Sequence, residues 1–196
     1  MSKTYEILPT ITLHTGSTYM HSPALPEVAH LDDPALDFAV DFQTNYAFTI
    51  KPDAPVTHAL IEMEVLGVHL LLVVDHQDKV IGIISSEHIL GEKTIKLIHE
   101  KRILRHEVEV QMVMRPQAEV MALDYASLKH AKVGHVINTM RDARQHYALV
   151  VELDSEHKQT VRGMFSLSLL SKQLNSDYIS DVPEARTIAE LTQKLN

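Results

Sequence analysis

The chain contains no cysteine, which excludes disulfides, zinc–thiolate sites, iron–sulfur clusters and thiol nucleophiles together, and fits a reducing, cytoplasmic setting. Glycine is scarce, with 6 residues in 196, so little is available for phosphate-cradling loops. Gly91-Glu92-Lys93-Thr94 looks like the end of a P-loop but lacks the upstream glycine and the Gly-Lys-Thr triplet. Neither Gly-x-Ser-x-Gly nor Gly-x-Gly-x-x-Gly occurs. His99-Glu100 is followed by Ile103 where a zincin helix needs a second histidine, and no His-x-x-x-His is present. Long hydrophobic runs are also missing. Val65–Val74 is interrupted by His69 and is about half the ~20 residues a membrane helix requires. No cationic stretch leads into an apolar segment at the N-terminus, so we expect no signal peptide, a soluble protein and no membrane association. Cations are in deficit, 18 Lys and Arg against 26 Asp and Glu, for a net charge of -8. That excludes non-specific nucleic-acid binding, which needs a basic face, and leaves open a local pocket for one small anion. No catalytic residue and no metal site is assigned.

A chain of this length buries roughly 70% of its unfolded surface, enough to fold without a metal or a cross-link. Residues 1–36 are broken by Pro9, Pro23, Pro26 and Pro34 and hold no period, which predicts an extended or partly disordered N-terminal arm. From Asp37 onward the pattern repeats. Shifting Ala54–Asp75 by 77 residues places Ala54 on Ala131, His58 on His135, Met63 on Met140 and His69 on His146. The same shift places Leu72-Val73-Val74 on Leu149-Val150-Val151. After a four-residue insertion around Asp154–Gln159, Gly82-Ile83-Ile84-Ser85 falls on Gly163-Met164-Phe165-Ser166.

Each copy reads strand, helix, strand, strand, helix. In the first, Ala47–Ile50 is a strand, and Val56–Leu66 is an amphipathic helix closed by Gly67. Leu70–Val74 and Val80–Ser85 are strands too apolar to alternate, hence covered on both faces. A helix starts near Ser86. The second copy predicts strands at Glu119–Ala122, Tyr147–Glu152 and Thr160–Ser166, with helices at Val133–Met140 and Ser168–Leu174. The expected organisation is an arm at 1–36, a first unit at 37–91, a connecting segment at 92–109, a second unit at 110–176 and a helical tail at 177–196.

Two βαββα units, each with an apolar strand ending in Val-Val-acid and then Gly-x-x-Ser, resemble the CBS-domain pair, or Bateman module, of the free-standing bacterial type. The resemblance is carried by GVHLLLVVDHQDKVIGIISSEHIL, by VQMVMRP and by YALVVELDSEHKQTVRGMFSLSLLSKQL. It implies an α+β fold in which two repeated units form a pseudo-twofold pair with clefts between them, a homodimer, and a regulatory rather than enzymatic role. The ligands it implies are adenosine compounds: AMP, ADP, ATP or S-adenosylmethionine, with no required cofactor. An unknown protein partner would receive the signal. In the family motif Gly-x-x-Thr/Ser-x-x-Asp the hydroxyl faces phosphate and the Asp faces ribose. Carried over, it selects Gly82, Ser85 and, at the Asp position, His88 in the first unit. It selects Gly163, Ser166 and, at the Asp position, Leu169 in the second. Leu169 accepts no hydrogen bond. His88 accepts one when neutral, and Glu87 beside it is an alternative acceptor. Arg162 and Arg144, with Arg141 and Lys172, are cations near the second unit. Ser85 and Ser166 read equally as plain helix N-caps. His58 and Glu62 share a helix face. The repeated His58/His135 and His69/His146 invite the expectation that each pair meets across the pseudo-twofold axis. A second reading is an interaction scaffold that has lost nucleotide binding.

Overall fold

The computed structural model describes residues 28–174. In chain order, a 3-10 turn at Ala35–Phe38 leads to β1 (Val40–Asp41), β2 (Thr49–Ile50), α1 (Val56–Leu66), β3 (Leu70–Val74) and β4 (Val80–Ser85). Then come α2 (Ser86–Leu90), α3 (Glu92–Lys101), α4 (Val110–Val113), β5 (Arg115–Pro116) and β6 (Ala122–Asp124). The chain continues with α5 (Tyr125–Leu128), α6 (Val133–Asp142), β7 (Tyr147–Leu153), β8 (Gln159–Ser166) and α7 (Leu167–Gln173). The fold is α+β and duplicated. The tail at 177–196 and most of the arm lie outside the described residues.

Two four-stranded sheets, ordered β2-β3-β4-β5 and β1-β8-β7-β6, stack with helices outside them. Successive strand residues point to opposite faces, which explains why Leu-Leu-Leu-Val-Val does not alternate. Leu71, Val73 and Ile84 face α1, packing on Val56, Ala59 and Met63. Leu70, Leu72, Val74 and Ile83 face the other way and meet Tyr147 and Leu149 of the second sheet. Ala148, Val150 and Phe165 then face α6, against Val136, Ile137 and Met140. The central apolar runs, Leu70–Val74 and residues 147–151, are buried on both faces, as such runs require.

The four-residue insertion lies along the hairpin rather than in its turn. Asp75 Oδ1 accepts the N–H groups of Gln77 and Lys79, and Asp154 Oδ1 accepts those of Glu156 and Lys158. Asp78 and His157 take the same left-handed conformation, with φ 56 and 61. The turns are therefore alike, and the extra length goes two residues into each strand, an even number that keeps every side chain on its face.

Chain boundaries and spatial boundaries differ. β1, read as part of the first unit, pairs with β8 in the second sheet, and β5 pairs with β4 in the first. The described end of the arm, residues 28–36, also packs on the second unit. Ala29 and Ala35 are buried there, and Val133 N–H and Gly134 N–H donate to Asp33 O and Leu31 O. These bonds satisfy amides that α6 leaves unpaired at its N-terminus. The connector does the same for α1, where Val56 N–H donates to Val108 O. Residues 28–41 are thus a counterpart of 103–116, and each strap crosses to the opposite unit.

Glycine is required where the straps close on the sheets. A Cβ on Gly82 would lie 2.4 Å from Arg115 O, and one on Gly163 would lie 2.5 Å from Val40 O. The second-unit strand expected at Glu119–Ala122 forms later, as β6, because Gln117–Glu119 turns as a 3-10 segment. Pairing on β7 then begins at Ala122↔Leu149.

Candidate functional site

Ser85 ends β4 and caps α2. Its hydroxyl accepts from His88 N at 3.4 Å, and His88 Nδ1 accepts from Ser85 N at 3.2 Å. Ser85 is 1% exposed, so its side chain serves the N-cap. Burial, reinforced by the nearby Arg115 guanidinium, lowers His88 to about 4, and the ring is neutral at pH 7. With Nδ1 engaged as an acceptor, the proton sits on Nε2. His88 therefore presents a donor where the sequence reading expected an acceptor, because the cap takes its lone pair. Thr94 Oγ1 donates to His88 O at 2.7 Å and ties α3 to this turn.

Glu87 points across to the second unit. Its Oε1 lies 3.3 Å from His146 Nδ1, just before β7. The hydrogen bond from His146 holds the Glu87 carboxyl below its usual range against the opposing effect of burial. The same bond raises His146. Arg115, on β5, acts on Glu87, His88 and His146 alike. Tyr147 is buried beside them, and burial pushes its hydroxyl upward. A cluster of Glu87, His88, Arg115 and His146 thus gathers on the first-unit side of the boundary between units. Arg115 and His146 were not selected from the sequence as ligand contacts. Their signals were present: His146 is a repeated residue, and Arg115 belongs to the Met-Arg-Pro that enters the second unit.

The second half is arranged differently. Ser166 Oγ accepts from Leu169 N at 3.5 Å and lies 2.9 Å from Ser168 Oγ. Arg162 is committed within the fold. Its guanidinium donates to Glu152 at 2.9 Å, Asp41 at 3.2 Å and Gln43 at 2.8 Å, and stacks 4.4 Å over Tyr125. The bonds to Glu152 and Asp41 hold its pKa above the ordinary arginine value. A shallow open pocket lies beside it, lined in part by Leu36, Tyr125 and Gly163. Two carboxylates offset the one cation, so Arg162 offers an anion no net charge. Arg144 is exposed in a left-handed turn after α6, with φ 52.

The repeated histidines do not pair with one another. His58 Nε2 lies 3.3 Å from Glu62 on its own helix, as the spacing predicts. His135 instead accepts from Lys132 N at 3.0 Å. The position equivalent to Lys132 is Pro55, which has no N–H to cap, so His58 is left for Glu62. His146 pairs with Glu87 rather than His69. Among the described residues, no group of three or more His, Asp or Glu is arranged to hold a metal, and no helix is long and apolar enough to cross a membrane.

Residues 39–94 match the CBS domain family. Comparison with curated protein sequences finds no match. Solved structures share the fold. An uncharacterized conserved protein from Pyrococcus horikoshii is 18% identical with a TM-score of 0.54, over 75% of this chain and 96% of that one. A CBS-domain containing protein from Agrobacterium tumefaciens is 14% identical with a TM-score of 0.51, over 71% and 91%. A putative signal-transduction protein with CBS domains from Burkholderia ambifaria is 19% identical with a TM-score of 0.50, over 67% and 84%. With its first unit matched to the CBS domain family and its second repeating the first strand for strand, the chain has the fold of a tandem CBS-domain protein.

Proposed function

We propose that this protein is a cytoplasmic, non-catalytic regulator that binds an adenosine nucleotide or related anion in the cleft between its CBS units, on the first-unit side. The observation that carries the reading is the convergence of Glu87, His88, Arg115 and His146 from both units. Arg115 supplies a cationic donor for phosphate, His146 a ring donor, Glu87 an acceptor for ribose hydroxyls, and His88 a neutral donor. Contacts drawn from both units make binding sensitive to their separation, so a ligand that prefers one spacing shifts that equilibrium. A homodimer or a protein partner would receive the change. The second half suits the scaffold reading better, since Leu169 replaces the acceptor and Arg162 is internally paired.

The test is thermal melting of the full chain with AMP, ADP, ATP, S-adenosylmethionine and NADH, beside Arg115→Gln. A ligand at 100 times its Kd adds about 2.7 kcal/mol, or roughly 5–10 °C for a chain of this size. We expect such a shift for at least one nucleotide, and its loss in Arg115→Gln. No shift for any compound in nucleotide-free protein would favour the scaffold.

A further inference from the structure

We propose that Glu87 and His146 form a proton-operated clasp that joins the two CBS units along one rim of their interface and has no equivalent on the other. The contact stands on geometry. Glu87 is in the first turn of α2 and His146 sits just before β7, and their side chains meet at 3.3 Å, each about one-third exposed. The residue after His146 is Tyr147, which lies in the apolar layer between the sheets with Leu70, Leu72, Ile83 and Leu149. The clasp therefore sits at the margin of the surface that opening would expose.

The repeat makes it one-sided. The equivalents of Glu87 and His146 are Ser168 and His69, and Ser168 is bonded to Ser166 within its own turn. Serine carries no charge, so the opposite rim has no ion pair of this kind and does not respond to the same proton.

The groups facing the pair are few. Arg115, on β5, is charged throughout the working range. It favours the ionised Glu87 and opposes the proton on His146. His88, on the same helix as Glu87, is neutral above about 4, kept so by burial first and by Arg115 and Lys93 of α3 after it. Tyr147 holds its proton. With Glu87 ionised, His88 neutral above about 4 and Tyr147 protonated, the change of charge left to this cluster is that of His146. Because Glu87 raises the His146 pKa, the clasp is complete below the ordinary histidine value and is lost as pH rises through the raised one. At the acid end it fails only as pH falls through the lowered pKa of Glu87.

The proposal rests on this contact and not on nucleotide binding, so the test uses nucleotide-free full chain. Histidine resonances are followed by NMR titration in the wild type, Glu87→Gln and a Ser168→Ala control. Glu87→Gln and His146→Gln are then combined in a double-mutant cycle at pH 6 and pH 9. The His146 midpoint should fall in Glu87→Gln and stay in place in Ser168→Ala. The coupling should be roughly 2- to 5-fold in the unfolding constant at pH 6, the range for partly exposed pairs, and absent at pH 9. An unchanged His146 midpoint in Glu87→Gln, or equal coupling at the two pH values, would overturn it.

Discussion

The two units share a backbone plan down to single hydrogen bonds yet carry different chemistry on it. Both cap the helix after the hairpin with a serine, but the third helical residue is His88 in one and Leu169 in the other. Both hairpins turn on one aspartate. Both long helices bury the same face, while the outward faces diverge: Ile61 and Val65 are 58% and 78% exposed on α1, whereas the matching Asn138 and Asp142 of α6 are polar. The central strand holds Ile81 in the first unit and the thrice-bonded Arg162 in the second. Most positions that fix the backbone stay alike after duplication, and those facing solvent or the boundary between the units separate.

Core substitutions test whether the units are also separate energetically. Phe165 and Ile84 are equivalent and both 0% exposed. Phe165→Ala should cost about 3–5 kcal/mol and Ile84→Ala about 2–5. Because the straps cross and the sheets share an apolar layer, each variant should lower the midpoint of one urea transition seen by every probe. Two separate transitions would show that the exchange of β1 and β5 does not couple the halves. Gly82→Ala and Gly163→Ala come next, each driving a methyl into a backbone carbonyl at 2.4 or 2.5 Å. The expected cost is about 1–3 kcal/mol, with faster amide exchange in the displaced strap, 28–41 or 103–116.

The repeat made most of the fold legible. A gapless 77-residue shift carries a helix and a strand together, and the expected bounds of α1, β3 and β4 are those found. The straps were harder to read. Residues 28–41 and 103–116 are related mainly through backbone bonds and two-residue strands, which leave little mark on side-chain type. The site was legible by half. Gly-x-x-Ser marks the right turn, but the same glycine and serine serve strand contact and capping. Whether Arg162 is free depends on Asp41 and Glu152, of which Asp41 is 121 residues away, a relation that no local spacing reports.

The His88/Leu169 difference gives an effect of intermediate size. His88 is lowered to about 4 in the folded chain against 6.5 for the free side chain, so the unfolded chain takes up a proton that the folded one refuses. Stability should therefore fall as pH drops from 6.5 toward 4, by up to about 3 kcal/mol. His88→Leu, which copies the second unit, should flatten that slope while losing about 1 kcal/mol of capping at neutral pH. Equal slopes in the two proteins, measured by urea unfolding from pH 4 to 7, would mean that the ring is not buried neutral.

The smallest contrast is at the helix ends. After α1, Val68 N–H returns to Met63 O, and after α6, Gln145 N–H returns to Met140 O, the same C-terminal closure. It turns on Gly67 at φ 67 in the first unit and on Arg144 at φ 52 in the second. Glycine takes this conformation without steric cost, and a residue with a Cβ gives up roughly 1 kcal/mol there. Arg144→Gly should raise stability by about 0.5–1 kcal/mol, and Gly67→Arg should lower it by a similar amount, since nothing lies within 4 Å of a Cβ at Gly67. If Arg144→Gly raises stability but also weakens a nucleotide-induced shift, then Arg144 is held in an unfavourable turn for the sake of an anion. The ligand reading would then extend to the second unit.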